Sequence, residues 1–462
     1  VAIGGCHRVI KVDGMFTEHA PRIYSTAYIN TTMMLKNMGH KFTDLFVPYN
    51  FSIATVGGQS IQNMHISDLF WFTQAFIKLL FNSEYGKTIS MDEFMISHNF
   101  TQNTQDYVNR MCRLTDGAGS DKYTLFEFLQ LLNQQLLYKI YQPNRPNDEG
   151  LFKIYESVLL KTGNVDIMLN TDVTSLNVKD NKIMSITVDT NGTTQQIMGD
   201  KVMLAIPPIQ LTQLLNGLNA FGDYDNLKTW AVQTEYIDDI GIVYHWKDEL
   251  KLPRIWGFPA SRWGVAFIVL TDYMQIPNSK TCISTCITIT NVKSAITGKL
   301  PGECTQQELI DEVFLQLQDG YPQLSRYDIA IVNPHVYKNG DDWDNRDSAF
   351  VETNINKFIE AKSAAVNNLY TVGTHNGKSL YHFTSYESAV TNALDVVHKL
   401  IPESIGEFPI NKPTSLIDII RLIFIIGLLV VIYKYQHRVD GMYNGVVWLS
   451  VIVVLILYNL SL

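Results

Sequence analysis

One stretch, Asn367 to Leu400, constrains the fold more than any other. Leu369 to Val372 is a short apolar run between Asn367-Asn368 and Gly373, which predicts a buried strand. After a polar loop, Tyr386, Ala389, Val390, Ala393, Leu394, Val397 and Leu400 recur at three- and four-residue steps. That spacing predicts a helix with one apolar face. Thr384 lies three residues before Glu387, the spacing of a capping box, so the helix should start near Tyr386. Its unsatisfied N–H groups and positive dipole end then point back at the Gly373 turn. Such an end favours an anion or a polarised carbonyl.

The chain can build a core around this unit. It has 462 residues, 46% of them hydrophobic, which places it among folded, multidomain proteins. A net charge of −9 gives no basic excess and argues against nucleic acid as a partner. The five cysteines, Cys6, Cys112, Cys282, Cys286 and Cys304, are too sparse and too odd in number for a disulfide framework. Cys282 and Cys286 fall in the alternating run CISTCITIT and share one strand face, as buried thiols do. No metal or Ser/His/Asp constellation stands out. Asp116 to Asp121 carries two glycines but no preceding strand and no phosphate-loop lysine, so it reads as a turn.

Two more segments complete a pattern. Near the start, Gly4-Gly5 is followed by Phe16-Thr17-Glu18-His19-Ala20-Pro21-Arg22. In the middle, an amphipathic helix over Leu151–Lys161 precedes alternating Val165, Ile167 and Leu169, then Asn170-Thr171-Asp172-Val173. Met184, Ile186 and Val188 alternate between the turns Lys179–Lys182 and Asn191-Gly192. Leu204-Ala205-Ile206-Pro207-Pro208 closes the unit. Together with Val372-Gly373-Thr374-His375 and Tyr386-Glu387-Ser388-Ala389-Val390, these segments resemble the flavin-containing amine oxidase superfamily. That group includes monoamine and polyamine oxidases, protoporphyrinogen oxidase and carotenoid desaturases.

The resemblance implies an α/β (α+β) fold. It consists of an FAD-binding, Rossmann-like domain lacking its first βαβ unit and an inserted sheet-plus-helix substrate domain; the apolar tail adds, on its own evidence, a C-terminal transmembrane helical hairpin. Residues 1–60, 151–210 and 341–403 would form the FAD domain. Residues 61–150 and 211–340 would form the substrate part, 404–415 a linker and 416–462 the anchor. The implied FAD contacts are Gly4, Gly5, Arg8, Arg22, Tyr24, Val173, Gly373, Thr374, Glu387 and Ser388. Val173 would pack beside the adenine, and His375 would act as a base or pack against the cofactor. There are four departures from the family pattern. Cys6 stands where Arg is usual, and Ala20 where Gly is usual. No G-x-G-x-x-G occurs in the chain, although the family has one before the Gly-Gly turn. The strand matching Ile240–Tyr244 lacks the lysine of many amine oxidases, Lys247 falling after Trp246.

The remaining expectations concern apolar segments. Ile66–Phe81 is strongly apolar but only 16 residues long, and is expected to be a buried helix. Leu416–Tyr433 and Val446–Leu462 are apolar on nearly all faces and are expected to form a membrane hairpin. The first spans about 27 Å as a helix. Asp418 and Arg421 are spaced to pair within it. The expected function is therefore that of a membrane-anchored FAD-dependent oxidoreductase removing hydride from a small-molecule or lipid-like substrate. The other reading is a catalytically degenerate flavin fold serving as a membrane-bound binding or assembly module.

Overall fold

The computed structural model describes residues 2–50, 64–234, 236, 239–255, 261–350, 358–435, 445 and 448. The sequence also predicts a strand at Trp256–Phe258, which lies outside these residues, as does the 446–462 segment apart from Trp448. The chain opens with a hairpin of β1 (Ile10–Val12) and β2 (Met15–Thr17). Asp13 and Gly14 close it at φ 50° and 79°, a turn whose twist suits a hairpin. β3 (Tyr24–Ser25), α1 (Ile29–Asn37), α2 (Phe42–Leu45) and β4 (Phe46–Pro48) follow. The sequence predicts a helix from Ser25, but Tyr24 and Ser25 pair with a later strand and α1 begins at Ile29.

A helical layer comes next, made of α3 (Ile66–Phe81), α4 (Met91–Ser97), α5 (Gln102–Asp116) and α6 (Leu125–Gln130). The Ser90 and Thr124 side chains cap α4 and α6 by accepting the Glu93 and Glu127 N–H groups. Buried Asp68 accepts the Thr101 and Thr104 hydroxyls at 2.8 and 2.7 Å and so ties α3 to α5. The sequence over Leu125–Tyr141 predicts one helix, but α6 ends early. Leu131–Gln135 is a π turn, and β5 (Ile140–Pro143) is the central strand of a sheet ordered β3-β5-β4. Partners from the first 50 residues override the local helical pattern here.

α7 (Leu151–Lys161) leads into an antiparallel meander of β6 (Thr171–Lys179), β7 (Lys182–Thr190) and β8 (Thr193–Ile197). Its turns are Asp180-Asn181 at φ 51° and 58°, and Asn191-Gly192 at 52° and 84°. Turn chemistry thus sets the register. Val165, Ile167 and Leu169 alternate as expected but form no strand; the first one starts at Thr171. β9 (Val202–Leu204) precedes α8 (Pro208–Leu215), which has Pro208 in its first turn.

After α9 (Tyr224–Gln233) comes the largest sheet, with β10 (Ile240–Trp246), β11 (Ala266–Val269), β12 (Thr281–Ile287) and, beyond α10 (Gln306–Gly320), β13 (Ile329–Val332). The strand order is β11-β12-β10-β13. Every residue of β10, β11 and β12 is buried. Ile242, Tyr244, Phe267 and Ile283 pack on Leu309, Val313 and Leu317 of α10. On the opposite face, Val243, Ile268 and Cys282 pack on Phe16, while Ala266 and Cys286 reach the helical layer. Cys282 and Cys286 are buried thiols, as their spacing predicts. A Cβ at Gly241 would collide with the His19 carbonyl oxygen, so the N-terminal segment lies directly on the sheet backbone.

A hairpin of β14 (Val336–Asn339) and β15 (Asp342–Asn345) follows. β16 (Leu369–Thr371) then pairs in parallel with β9, joining the two halves of a small sheet across the inserted part. Asn368 adds a stitch: its side chain exchanges hydrogen bonds with both backbone groups of Ile183, at 2.8 and 2.9 Å. α11 (Tyr386–Leu400) and α12 (Leu416–Tyr435) complete the described helices. Among the described residues, α12 is the one helix long and apolar enough to cross a membrane. The expected Asp418–Arg421 pair does not form. Asp418 instead accepts from the Ser415 N–H and hydroxyl at 3.0 and 2.7 Å, capping α12, and Arg421 donates to the Leu80 carbonyl.

Candidate functional site

The start of α11 is built differently from the predicted capping box. Ser385, not Thr384, is the cap, and its side chain accepts the Ser388 N–H at 3.1 Å. Glu387 is freed to cap a second helix. Its carboxylate accepts the Asn30 N–H at 2.8 Å, the Thr31 N–H at 2.9 Å and the Thr31 hydroxyl at 2.7 Å. These N–H groups open α1, so one buried carboxylate meets the positive end of α1 and locks it to α11. Burial raises the Glu387 pKa, and the bonds from Thr31 and Asn30 oppose that rise. Ser388 is wholly buried beside it.

The Gly373 turn is fastened to the same helix. Gly373 N–H donates to Asn376 Oδ1 at 3.0 Å, Lys378 N–H donates to Asn392 Oδ1 at 3.0 Å, and Asn392 donates back to the Ser388 carbonyl at 2.8 Å. Thr374 begins the short turn Thr374–Asn376. His375 folds inward over Gly373, with Nε2 2.7 Å from Thr371 Oγ1 and its ring near Trp230 and Phe350. Burial lowers its pKa to about 4, so the ring is neutral at pH 7.

The Gly4-Gly5 turn meets the start of α11 from the other side. Gly5 has φ +55° and open space in its Cβ direction, whereas the Phe152 ring fills the approach over Gly4. His7, one turn on, lies with its ring centroid 5.8 Å from that of Tyr386, the first residue of α11. Burial first, then the Arg22 and His19 charges, push the His7 pKa down, so it too is neutral. Arg22 donates to the Cys6 carbonyl. Asn147 Nδ2 donates to the Tyr24 hydroxyl at 3.2 Å and the His7 carbonyl at 3.3 Å. Around this turn Arg22 Nε and Asn147 Oδ1 are buried with no hydrogen-bond partner among the described residues.

Val173 lies in β6 opposite Val188 and is 41% exposed. Arg8 bridges the turn and Asp347: Nη1 donates to the Gly5 carbonyl at 2.5 Å and Nη2 to Asp347 at 2.5 Å, and Asp347 also receives His335 Nδ1 at 2.9 Å and has His19 Nδ1 at 3.5 Å. This cluster ties the N-terminal segment to the loop after β15, and no sequence signal marks it. Burial alone would raise the Asp347 pKa, but the His19 hydrogen bond and the Arg8 charge outweigh it and hold the carboxyl well below the ordinary range. A depressed folded pKa contributes stability above the unfolded value of about 3.9, and that stability is lost as pH falls. Acid unfolding of the native chain should therefore steepen below about pH 4. Asp347→Asn should flatten that slope while lowering stability at pH 7; an unchanged slope in the variant would remove Asp347 from this role.

A separate cavity of about 400 Å³ lies between α2, the 145–150 turn and α7, lined by His40, Asp44, Arg145, Glu149 and Lys153 among others. Phe152 and Tyr155 of the same helix face Tyr386 instead, so the cavity opens on a different side of α7. On β10, Tyr244 donates to the Ile310 carbonyl at 2.7 Å and the His245 ring bonds to the Phe16 carbonyl at 2.9 Å. Its polar side chains are thus engaged in packing.

No protein-family model and no curated protein matches the sequence. Solved structures do match in shape. An oxidoreductase from Methanosarcina mazei superposes with a TM-score of 0.60 at 11% identity, covering 86% of this chain and 92% of that one. Putrescine oxidase bound to putrescine gives 0.58 at 10%, covering 87% and 92%. A fatty acid isomerase from P. acnes that produces CLA gives 0.51 at 10%, covering 87% and 90%. The chain therefore shares the mixed α/β fold of these solved structures.

Proposed function

We propose that this protein is an FAD-dependent oxidoreductase held at a membrane by its C-terminal apolar helix. The observation that carries the reading is the meeting of the Gly4-Gly5 turn and the start of α11 through His7 and Tyr386, within a flavoenzyme fold. The residues present suit the flavin end of the cofactor. Gly5 leaves open space, and two buried polar atoms of Arg22 and Asn147 lack partners at the same turn. The chain has no G-x-G-x-x-G loop to cradle the pyrophosphate.

Bound flavin would supply hydride acceptance from a C–N or C–C bond. This chain's own residues would do the rest. The first-turn N–H groups of α11 favour negative charge in front of them. Arg22 supplies the cation near the turn, because His7 and His375 are neutral at pH 7. Tyr24, Phe152, Tyr155 and Tyr386 surround the turn and limit water. The substrate class we favour is lipid-like. Three features support it: the exposed apolar α12, the lack of a lysine on β10, and a fatty acid isomerase among the proteins of this fold. The test is anaerobic mixing of the flavin-loaded protein with amines and with unsaturated fatty acids in turn. Bleaching by a fatty acid is expected. A flavin that dithionite reduces but neither substrate class bleaches would support the non-catalytic reading instead.

A further inference from the structure

We infer that α3 is a second membrane contact, lying along the bilayer surface beside the point where α12 enters it. This rests on the reading of α12 as a membrane anchor. The sequence predicts a buried helix over Ile66–Phe81, and only part of it is one. Asp68, Ala75 and Leu79 are buried against the helical layer. On the other side, Ile66, Leu69, Phe70, Thr73, Ile77 and Phe81 follow helical spacing and are all exposed, Ile66 by 79% and Phe81 by 83%. From first to last they make a stripe about 22 Å long. A contiguous apolar stripe of this kind marks an interaction surface.

The occupant follows from what adjoins the stripe. Arg421, in the second turn of α12, donates to the Leu80 carbonyl at the end of α3, at 2.7 Å. Ile417 is buried in the cluster that also holds Ala75 and Leu79, and its N–H donates to Asn133 Oδ1 at 3.0 Å. The root of α12 is thus fixed to the domain next to Phe81, and the rest of the helix runs out exposed. Leu132 and Leu136, at and just after the π turn that holds this root, are also exposed, by 48% and 63%. A bilayer that accepts α12 brings its headgroup layer to the end of α3. Exposed Lys78 and the Arg421 guanidinium sit at that level, as cations do at a phosphate layer. The apolar stripe then extends α12's lipid contact sideways along the interface.

The test uses the whole chain in phosphatidylcholine vesicles, on a Cys6→Ser background because the other four cysteines are buried. An environment-sensitive fluorophore is placed by Phe70→Cys, Phe81→Cys, Phe424→Cys on α12, or Thr193→Cys on the exposed β8. Lipids carrying a nitroxide near the headgroup end of the acyl chain serve as quencher. Labels at positions 70 and 81 should be quenched at least half as strongly as the label at 424, with 193 unaffected. If 424 is quenched and 70 and 81 match 193, the anchor stands and the inference fails. If none is quenched, the anchor reading itself fails. Shielding of 70 and 81 that depends on protein concentration and not on lipid would assign the stripe to a second copy of the chain and overturn the inference.

Discussion

Glu387→Ala should lower the stability of the folded chain by about 3–5 kcal/mol. Three donors end on this one buried carboxylate: the N–H groups of Asn30 and Thr31 and the Thr31 hydroxyl. Removing it strands two backbone N–H groups in a dry interior, at about 1–3 kcal/mol each, with a cavity added. It also cuts the tie between α1 and α11. Glu387→Gln keeps an acceptor oxygen and should lose roughly half as much. Denaturant midpoints in a fixed detergent measure both. A loss below about 1 kcal/mol for the alanine variant would show that α1 is capped in another way.

Gly241→Ala should lower stability by about 2–3 kcal/mol, near the upper end for an overpacked core. Gly241 does not adopt a left-handed conformation. On backbone grounds alone, alanine should therefore gain roughly 0.4–1 kcal/mol from the unfolded state. The obstacle is the His19 carbonyl, which is backbone and cannot rotate away as a side chain would. The steric cost is the larger effect and sets the sign. Because His19 lies against Asp347, the strain should also disturb the Arg8–Asp347 contact. A variant more stable than the native chain would mean that the N-terminal segment does not lie on β10.

The elements most legible in the sequence are those whose cause is local. The meander follows from Asp180-Asn181 and Asn191-Gly192, which can hold positive φ at both turn positions. α7, α10 and α11 follow from apolar spacing over ten or more residues. What escaped is what depends on distant partners. Ile140–Pro143 is a strand because β3 and β4 flank it. Glu387 faces α1 rather than its own cap because Asn30 and Thr31 reach it across the chain. Arg8 finds Asp347 at a separation that no local pattern encodes. The apolar surface of α3 is plain in the sequence, but which side stays exposed is set by packing against α5 and α6. In the candidate site, the glycines and Ser388 are legible as a motif. His7, Phe152 and Asn147, which help join its halves, carry no signal of their own.

The most direct measurement is the flavin content of the intact chain, purified in detergent and shown to be folded by a cooperative melt. Flavin absorbance close to one cofactor per chain, released on unfolding, is the predicted result. Folded, colourless protein that takes up no FAD on titration would contradict it, and would leave the meeting of the Gly4-Gly5 turn with α11 as architecture without a cofactor.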